Sequence, residues 1–211
     1  MQPTLYSFRR CPYAMRARLA IAVSEQNVLL KEIVLKHKPE ELLAISPNKT
    51  IPVLACDDQV IDESLEIMVW ALSKNDPKQW LQAPLMEMLS LIDLNDFEFK
   101  GWLDKYKYAD RHPEYQQSYY REEAEEFLMQ LETRLQQNRY LFSEHISLAD
   151  MAIFPFIRQF SMVEPAWFEQ SNYPMVKQWL SELINSDLFI SCMKKYPIWL
   201  ESGEAFLFPN K

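Results

Sequence analysis

The chain has 211 residues, 48% of them hydrophobic, with a formal net charge of −8, three cysteines, three histidines and only two glycines. That length makes room for one large or two small domains; the acidity argues against a nucleic-acid backbone as the main partner, and Gly101 and Gly203 alone cannot build a glycine-rich phosphate loop. The widely spaced Cys11, Cys56 and Cys192 read as thiols of a reducing cytoplasm, His37, His112 and His145 lack metal-ligand spacing, and neither a secretory leader nor a membrane-length apolar run is expected.

Residues 4–8 read as a short strand and 12–24 as a helix with Met15, Leu19 and Ala22 on one face. Residues 31–35 read as a second strand and 39–45 as a short helix opening at proline. A turn-rich loop, 46–50, leads to the apolar strand Val53-Leu54-Ala55. A turn at Asp57-Asp58 and a return over 59–61 predict a hairpin, and a helix follows from about 62 to 73. The order βαβαββα over residues 1–75 is that of a small mixed sheet layered with helices. Residues 76–84, with Pro77 and Pro84, read as a linker. Strand patterns then cease: helical spacing is found over 85–108, 124–135, 174–184 and 188–196, so residues 85–211 are expected to be all-helical.

Two helix starts stand out. Cys11 follows the first strand and precedes Pro12, which suits the first helical position because its missing N–H would have no partner there. A cysteine at a helix N-terminus meets unpaired backbone N–H groups and the positive end of the dipole; with Arg9, Arg10, Arg16 and Arg18 nearby, its thiol is expected to fall from about 8.5 towards the range of roughly 3.5–7.5. That makes Cys11 the candidate nucleophile. The second start is Ser147-Leu148-Ala149-Asp150, a capping box in which Ser147 caps and Asp150 returns the bond, with Ile146 and Met151 as the hydrophobic staple. The helix after it, with Ile153, Phe156, Ile157 and Phe160, is expected to be deeply buried.

Together these features resemble the cytosolic glutathione transferases, in which a thioredoxin-like domain precedes an all-helical one and a Ser-Leu-Ala-Asp box with a following proline, here Pro155, caps a central helix. Within that family the Cys11-Pro12-Tyr13-Ala14 stretch is similar to the cysteine-dependent omega-like class, and to glutaredoxins whose second cysteine is replaced. Other classes use Tyr or Ser, and Tyr6 and Ser7 lie near those places. The resemblance implies glutathione as co-substrate and no metal. It places Lys38 at a glutathione carboxylate, Ile51-Pro52 at a cis-proline turn whose backbone pairs with the tripeptide, Ser64 at the γ-glutamyl carboxylate, Glu63 at the α-ammonium, and Tyr13 in the same site. Trp70 stands where relatives often have tyrosine, and Asn48-Lys49-Thr50 replaces the usual small-residue turn. The helical domain is expected to line a second-substrate pocket with Tyr106, Phe156 and Phe160, and the family implies a homodimer, without nucleic acid or membrane as a partner.

The activity expected on these grounds is a glutathione-dependent thiol transferase or reductase. Its Cys11 forms a mixed disulfide with glutathione and, because Ala14 replaces a resolving cysteine, runs a monothiol cycle. Dehydroascorbate reduction is a close variant. The alternatives are conjugation of glutathione to electrophiles, and a non-enzymatic scaffold of the same fold that binds a protein partner.

Overall fold

The structure, a computed structural model, describes residues 2–46, 48–56 and 59–209. The chain divides into two compact units, one made of Met1–Lys78 with Ser186–Lys211 and the other of Gln79–Asn185.

The first unit begins with β1 (Thr4–Ser7), α1 (Pro12–Val23), β2 (Val28–Glu32), α2 (Glu40–Ile45), β3 (Val53–Cys56), β4 (Gln59–Ile61) and α3 (Ser64–Lys74). This is the thioredoxin-like order expected from the sequence. β1 runs parallel to β2 with Thr4 opposite Leu29, and antiparallel to β3 with Leu5 opposite Leu54; β3 and β4 pair antiparallel. The expected turn at Asp57-Asp58, and Pro47 in the loop before it, lie outside the described residues. α1 is buried almost all round, packed against α3, and small residues at Ala14, Ala17 and Ala20 let its neighbours come close.

β2 lies three residues earlier than the 31–35 expected from the sequence. Pairing with β1 selects Val28–Glu32, whose alternate residues Val28, Leu30 and Glu32 are buried. A glutamate at an inward position hides the alternation, and a buried arginine described below makes it tolerable.

The second unit opens with α4 (Leu85–Asp93), which continues through a π-helical stretch, Leu94–Phe99, into α5 (Lys100–Lys107). α6 (Gln117–Leu135), α7 (Leu148–Ser161), α8 (Pro165–Gln170) and α9 (Pro174–Ile184) complete it. The expected linker is only partly one: residues from Gln79 onward belong to this unit, and Trp80 is buried, its carbonyl accepting from the Leu148 N–H at 2.9 Å. The capping box forms as its sequence predicts. Ser147 Oγ accepts from the Asp150 N–H, and the Asp150 carboxylate accepts from the Ser147 N–H at 2.8 Å, the Leu141 N–H at 2.9 Å and Trp179 Nε1 at 2.9 Å.

The all-helical expectation for 85–211 fails at a short strand, Phe206–Phe208, and the second unit itself ends at Asn185. The rest returns to the first unit as α10 (Asp187–Cys192), α11 (Trp199–Ser202) and β5 (Phe206–Phe208). α10 packs on α1, and β5 pairs antiparallel with β2, Val28 opposite Phe208, giving a five-stranded sheet of order β4-β3-β1-β2-β5. Phe206-Leu207-Phe208 is too short to show a strand period, so its partner rather than its sequence defines it. Among the described residues no helix is long and apolar enough to cross a membrane.

Candidate active site at the start of the first helix

β1 delivers the chain to a tight turn. The Cys11 N–H donates to the Phe8 carbonyl at 2.9 Å, and the Met15 N–H donates to the Cys11 carbonyl at 3.0 Å, which begins α1. Cys11 itself is extended (φ −78°, ψ 124°) and Pro12 occupies the first turn. Cys11 is half-buried, packed with Phe8 against a cluster that includes Tyr6, Ala14, Ile51 and Val53. Its Sγ lies 3.7 Å from the Ile51 carbonyl oxygen, and the Ile51–Pro52 peptide bond is cis. No acidic residue stands in the first turn of α1, so the positive end of the dipole there faces no carboxylate from its own helix.

The arginines play separate parts. Arg10 is exposed, its guanidinium 5.4 Å from the centre of the Phe8 ring. Arg16 is fully buried; it lies 5.4 Å from the Tyr13 ring, and its Nη1 donates to Ser64 Oγ at 3.5 Å, joining α1 to the start of α3. Arg18 is ion-paired with Glu32, so its charge is neutralised locally and adds little at the thiol.

The hydroxyls that could stand in for the cysteine are already engaged. Tyr6 donates to Glu41 Oε1 at 3.1 Å; burial, reinforced by the Glu41 charge, pushes its phenol well above the ordinary range, so it keeps its proton. Ser7 is fully buried, and its Oγ accepts from Arg18 Nε at 2.8 Å. The other two cysteines sit elsewhere: Cys56 is buried in β3, and burial pushes the Cys192 thiol up to about 12. None of the three is in a disulfide.

The residues assigned to glutathione come together only in part. Ser64 is the first residue of α3, 4% exposed, with Glu63 extended before it, an arrangement that presents backbone N–H groups to an anion. Ile51 and Pro52, both buried, bring the cis-peptide turn beside Cys11. Lys38, half-buried, donates its Nζ to the Lys49 carbonyl at 2.5 Å and so holds the loop ahead of Ile51. Asp62 accepts from Asn48 Nδ2 at 3.0 Å in the same loop. The start of α3 thus offers N–H groups at Ser64 that suit an anion and, at Glu63, an acid that suits a cation.

The proposed pocket residues of the helical unit are placed differently from expectation. Tyr106, Phe156 and Phe160 are at most 1% exposed. The Tyr106 ring lies 5.1 Å from Phe160, and its hydroxyl donates to Glu164 at 2.8 Å. They pack as core, because helical spacing of aromatics is satisfied by neighbouring helices before any ligand. Sequence reading missed Glu32, Glu41 and the pairing of Arg18. A signal for the last existed: an arginine among Ala17, Leu19 and Ala20, in a helix buried all round, needs a carboxylate.

Known proteins extend the comparison. Residues 5–79 match the model of the glutathione S-transferase N-terminal domain, and residues 78–182 that of the C-terminal domain. A probable maleylacetoacetate isomerase of Caenorhabditis elegans is 25% identical over 205 residues, covering 90% of this chain and 92% of its own. Among solved structures, a glutathione transferase family member from Pseudomonas fluorescens with two glutathione bound has a TM-score of 0.77 at 20% identity over 91% of this chain and 92% of its own. A glutathione S-transferase-I bound with lactoylglutathione has a TM-score of 0.73 at 20% identity, over 92% and 99%. At such identities the solved structures speak for the fold, while the two domain models follow one another along the sequence in the family's own order. The chain belongs to the glutathione S-transferase superfamily.

Proposed function

We propose that this transferase is a monothiol, glutathione-dependent thiol transferase or reductase with Cys11 as its nucleophile. The observation that carries the reading is the division of labour at the end of β1: the Tyr6 and Ser7 hydroxyls are engaged by Glu41 and Arg18, while Cys11 stands half-buried at the helix N-terminus. In the first step the Cys11 thiolate attacks the glutathione sulfur of a mixed disulfide. A Cys11–glutathione disulfide forms and the second thiol leaves as its thiolate. A second glutathione thiolate then attacks the glutathione sulfur of that adduct, giving glutathione disulfide and restoring Cys11. Ala14, fully buried one turn along, offers no thiol to compete with that second attack. Ser64 supplies N–H groups and a hydroxyl, and Glu63 a charge, for the γ-glutamyl end, and the Ile51 backbone lies beside the sulfur.

A second reading is favoured by the similarity to the probable maleylacetoacetate isomerase: reversible thiol addition to a cis double bond conjugated to carbonyls, followed by rotation and elimination. The two differ in redox stoichiometry. Reduction of a glutathione mixed disulfide consumes one free glutathione and forms one glutathione disulfide, whereas isomerisation consumes none. Assay of glutathione disulfide formed per turnover, on a glutathione–small-thiol disulfide and on a cis-enedione acid, separates them. A Cys11–glutathione adduct mapped after brief exposure to glutathione disulfide is expected; turnover of the enedione alone, with no adduct, would replace the first reading by the second.

A further inference from the structure

Behind the Cys11 turn lies a buried network. Glu32, 6% exposed at the end of β2, divides its carboxylate between two partners. Oε1 accepts from the Arg9 backbone N–H at 2.7 Å, two residues before Cys11, and Oε2 is ion-paired with Arg18 Nη2. Arg18, 0% exposed, completes its donors with Ser7 Oγ at 2.8 Å and the Cys192 carbonyl at 3.0 Å, while Arg9 Nη1 reaches the Met193 carbonyl at 3.5 Å. Tyr196 lies beside Arg18, its ring centre 6.0 Å from the guanidinium. Burial pushes the Glu32 carboxyl up and the Arg18 guanidinium down, each partly opposed by the other's charge.

A buried ion pair is a poor source of stability, since desolvating both groups cancels much of their attraction. A core meant only to be stable would fill this space with apolar side chains. The Glu32 oxygen that Arg18 does not hold accepts an N–H from the turn that carries the nucleophile, and a charged acceptor fixes such a donor more firmly than a neutral one. We infer that Glu32 is a positioning residue for Cys11, that its carboxylate fixes the turn through the Arg9 N–H, and that Arg18 holds Glu32 in place while tying it to the 192–193 carbonyls of the returning C-terminal segment. The inference rests on the reading of Cys11 as nucleophile.

The test compares two pairs of variants in the full-length protein by the alkylation rate of Cys11 with iodoacetamide, located by peptide mapping. Glu32→Gln and Glu32→Met remove the same charge and have similar shape, but only glutamine keeps an oxygen for the Arg9 N–H. Arg18→Met/Glu32→Gln and Arg18→Met/Glu32→Met repeat that contrast without a buried unpaired cation, which serves if the single variants do not fold. In each folded pair the methionine member is expected to react roughly tenfold more slowly than the glutamine member. Addition of Arg18→Met to Glu32→Met should raise the thermal midpoint without restoring the rate. Equal rates within a pair, or a rate that returns with the thermal midpoint, would overturn the inference. If Cys11 of the native chain reacts no faster than Cys56, the reading of Cys11 itself has failed, a result separable from the other two.

Discussion

The N-termini of α7 and α1 are built in opposite ways. α7 begins at Ser147, whose hydroxyl accepts the Asp150 N–H, while the Asp150 carboxylate returns to the Ser147 N–H and also holds Leu141 and Trp179. α1 begins at Cys11, which makes no side-chain cap, followed by Pro12 and no acidic residue in its first turn. The α7 end satisfies its own donors with a buried carboxylate and is a folding device. At the α1 end, a thiol stands where Ser147 stands in α7, and Ala14 stands where the acid would be. The difference teaches that a helix N-terminus becomes chemically useful when the residues that would neutralise it are left out of the sequence.

The largest expected effect breaks the comparison at Cys11. Cys11→Ser should reduce thiol–disulfide exchange to background, because a hydroxyl cannot form the mixed disulfide, while Tyr6→Phe should leave the rate near native. A Cys11→Ser protein with native exchange rate, or a Tyr6→Phe protein without activity, would move the chemistry to another residue.

Next in size is the contrast among the cysteines. With its thiol pushed up to about 12 by burial, Cys192 stays protonated at pH 8, and only its thiolate reacts. Its labelling should be roughly a thousandfold slower than that of an ordinary thiol at this pH, and should rise about tenfold per pH unit until the pH nears that value. Iodoacetamide labelling of the folded protein between pH 7 and 9, with peptide mapping, measures this; Cys192 labelled alongside Cys11 at pH 8 contradicts it.

At the other helix end, Asp150→Ala removes a wholly buried carboxylate and strands the Leu141, Ser147 and Trp179 donors. A loss of about 3–5 kcal/mol is expected, enough to lower the thermal midpoint by roughly 10 °C. Denaturant titration measures the first and a thermal melt the second. Cys11 alkylation in the molecules that remain folded should not change. A stable Asp150→Ala protein with a sluggish Cys11 would reverse the roles assigned to the two ends.

The smallest effect sharpens the binding side. Ser64→Ala should weaken glutathione binding by roughly tenfold to a hundredfold, through loss of a hydrogen bond to a carboxylate and of the Arg16 contact that holds α3 against α1. Its Cys11 should alkylate at the native rate. Titration calorimetry that returns unchanged affinity removes Ser64 from the site.

Both helix starts were legible in the sequence because each is local. Cap residues, a following proline and a periodic apolar run occur within a few positions, and the βαβαββα order followed from the same kind of signal. Of the buried charges, Arg18 left a trace in its apolar helix, but its partner did not. Glu32 occupies an inward strand position, and only Arg18, fourteen residues away on another element, makes that tolerable. β5 was missed for the same reason: three residues become a strand only by pairing with Val28–Leu30, at the far end of the chain. Tyr106 and Phe160 show the converse error, since an aromatic stripe reads alike whether it faces a ligand or, as here, its own core.

The return of residues 186–208 to the first unit also sets a timetable for synthesis. The strands and helix around Cys11 are translated first, yet the carbonyls at 192 and 193 that meet Arg18 and Arg9, and the strand that covers the β2 edge, are made only after all of residues 79–185. The second unit is contiguous in sequence; the unit that holds Cys11 must wait, its β2 edge uncovered, for contacts between residues very distant in sequence. On the ribosome, therefore, the helical middle of this transferase can finish before its beginning, and the Cys11 turn gains its full support only after residues 192 and 193 have been made.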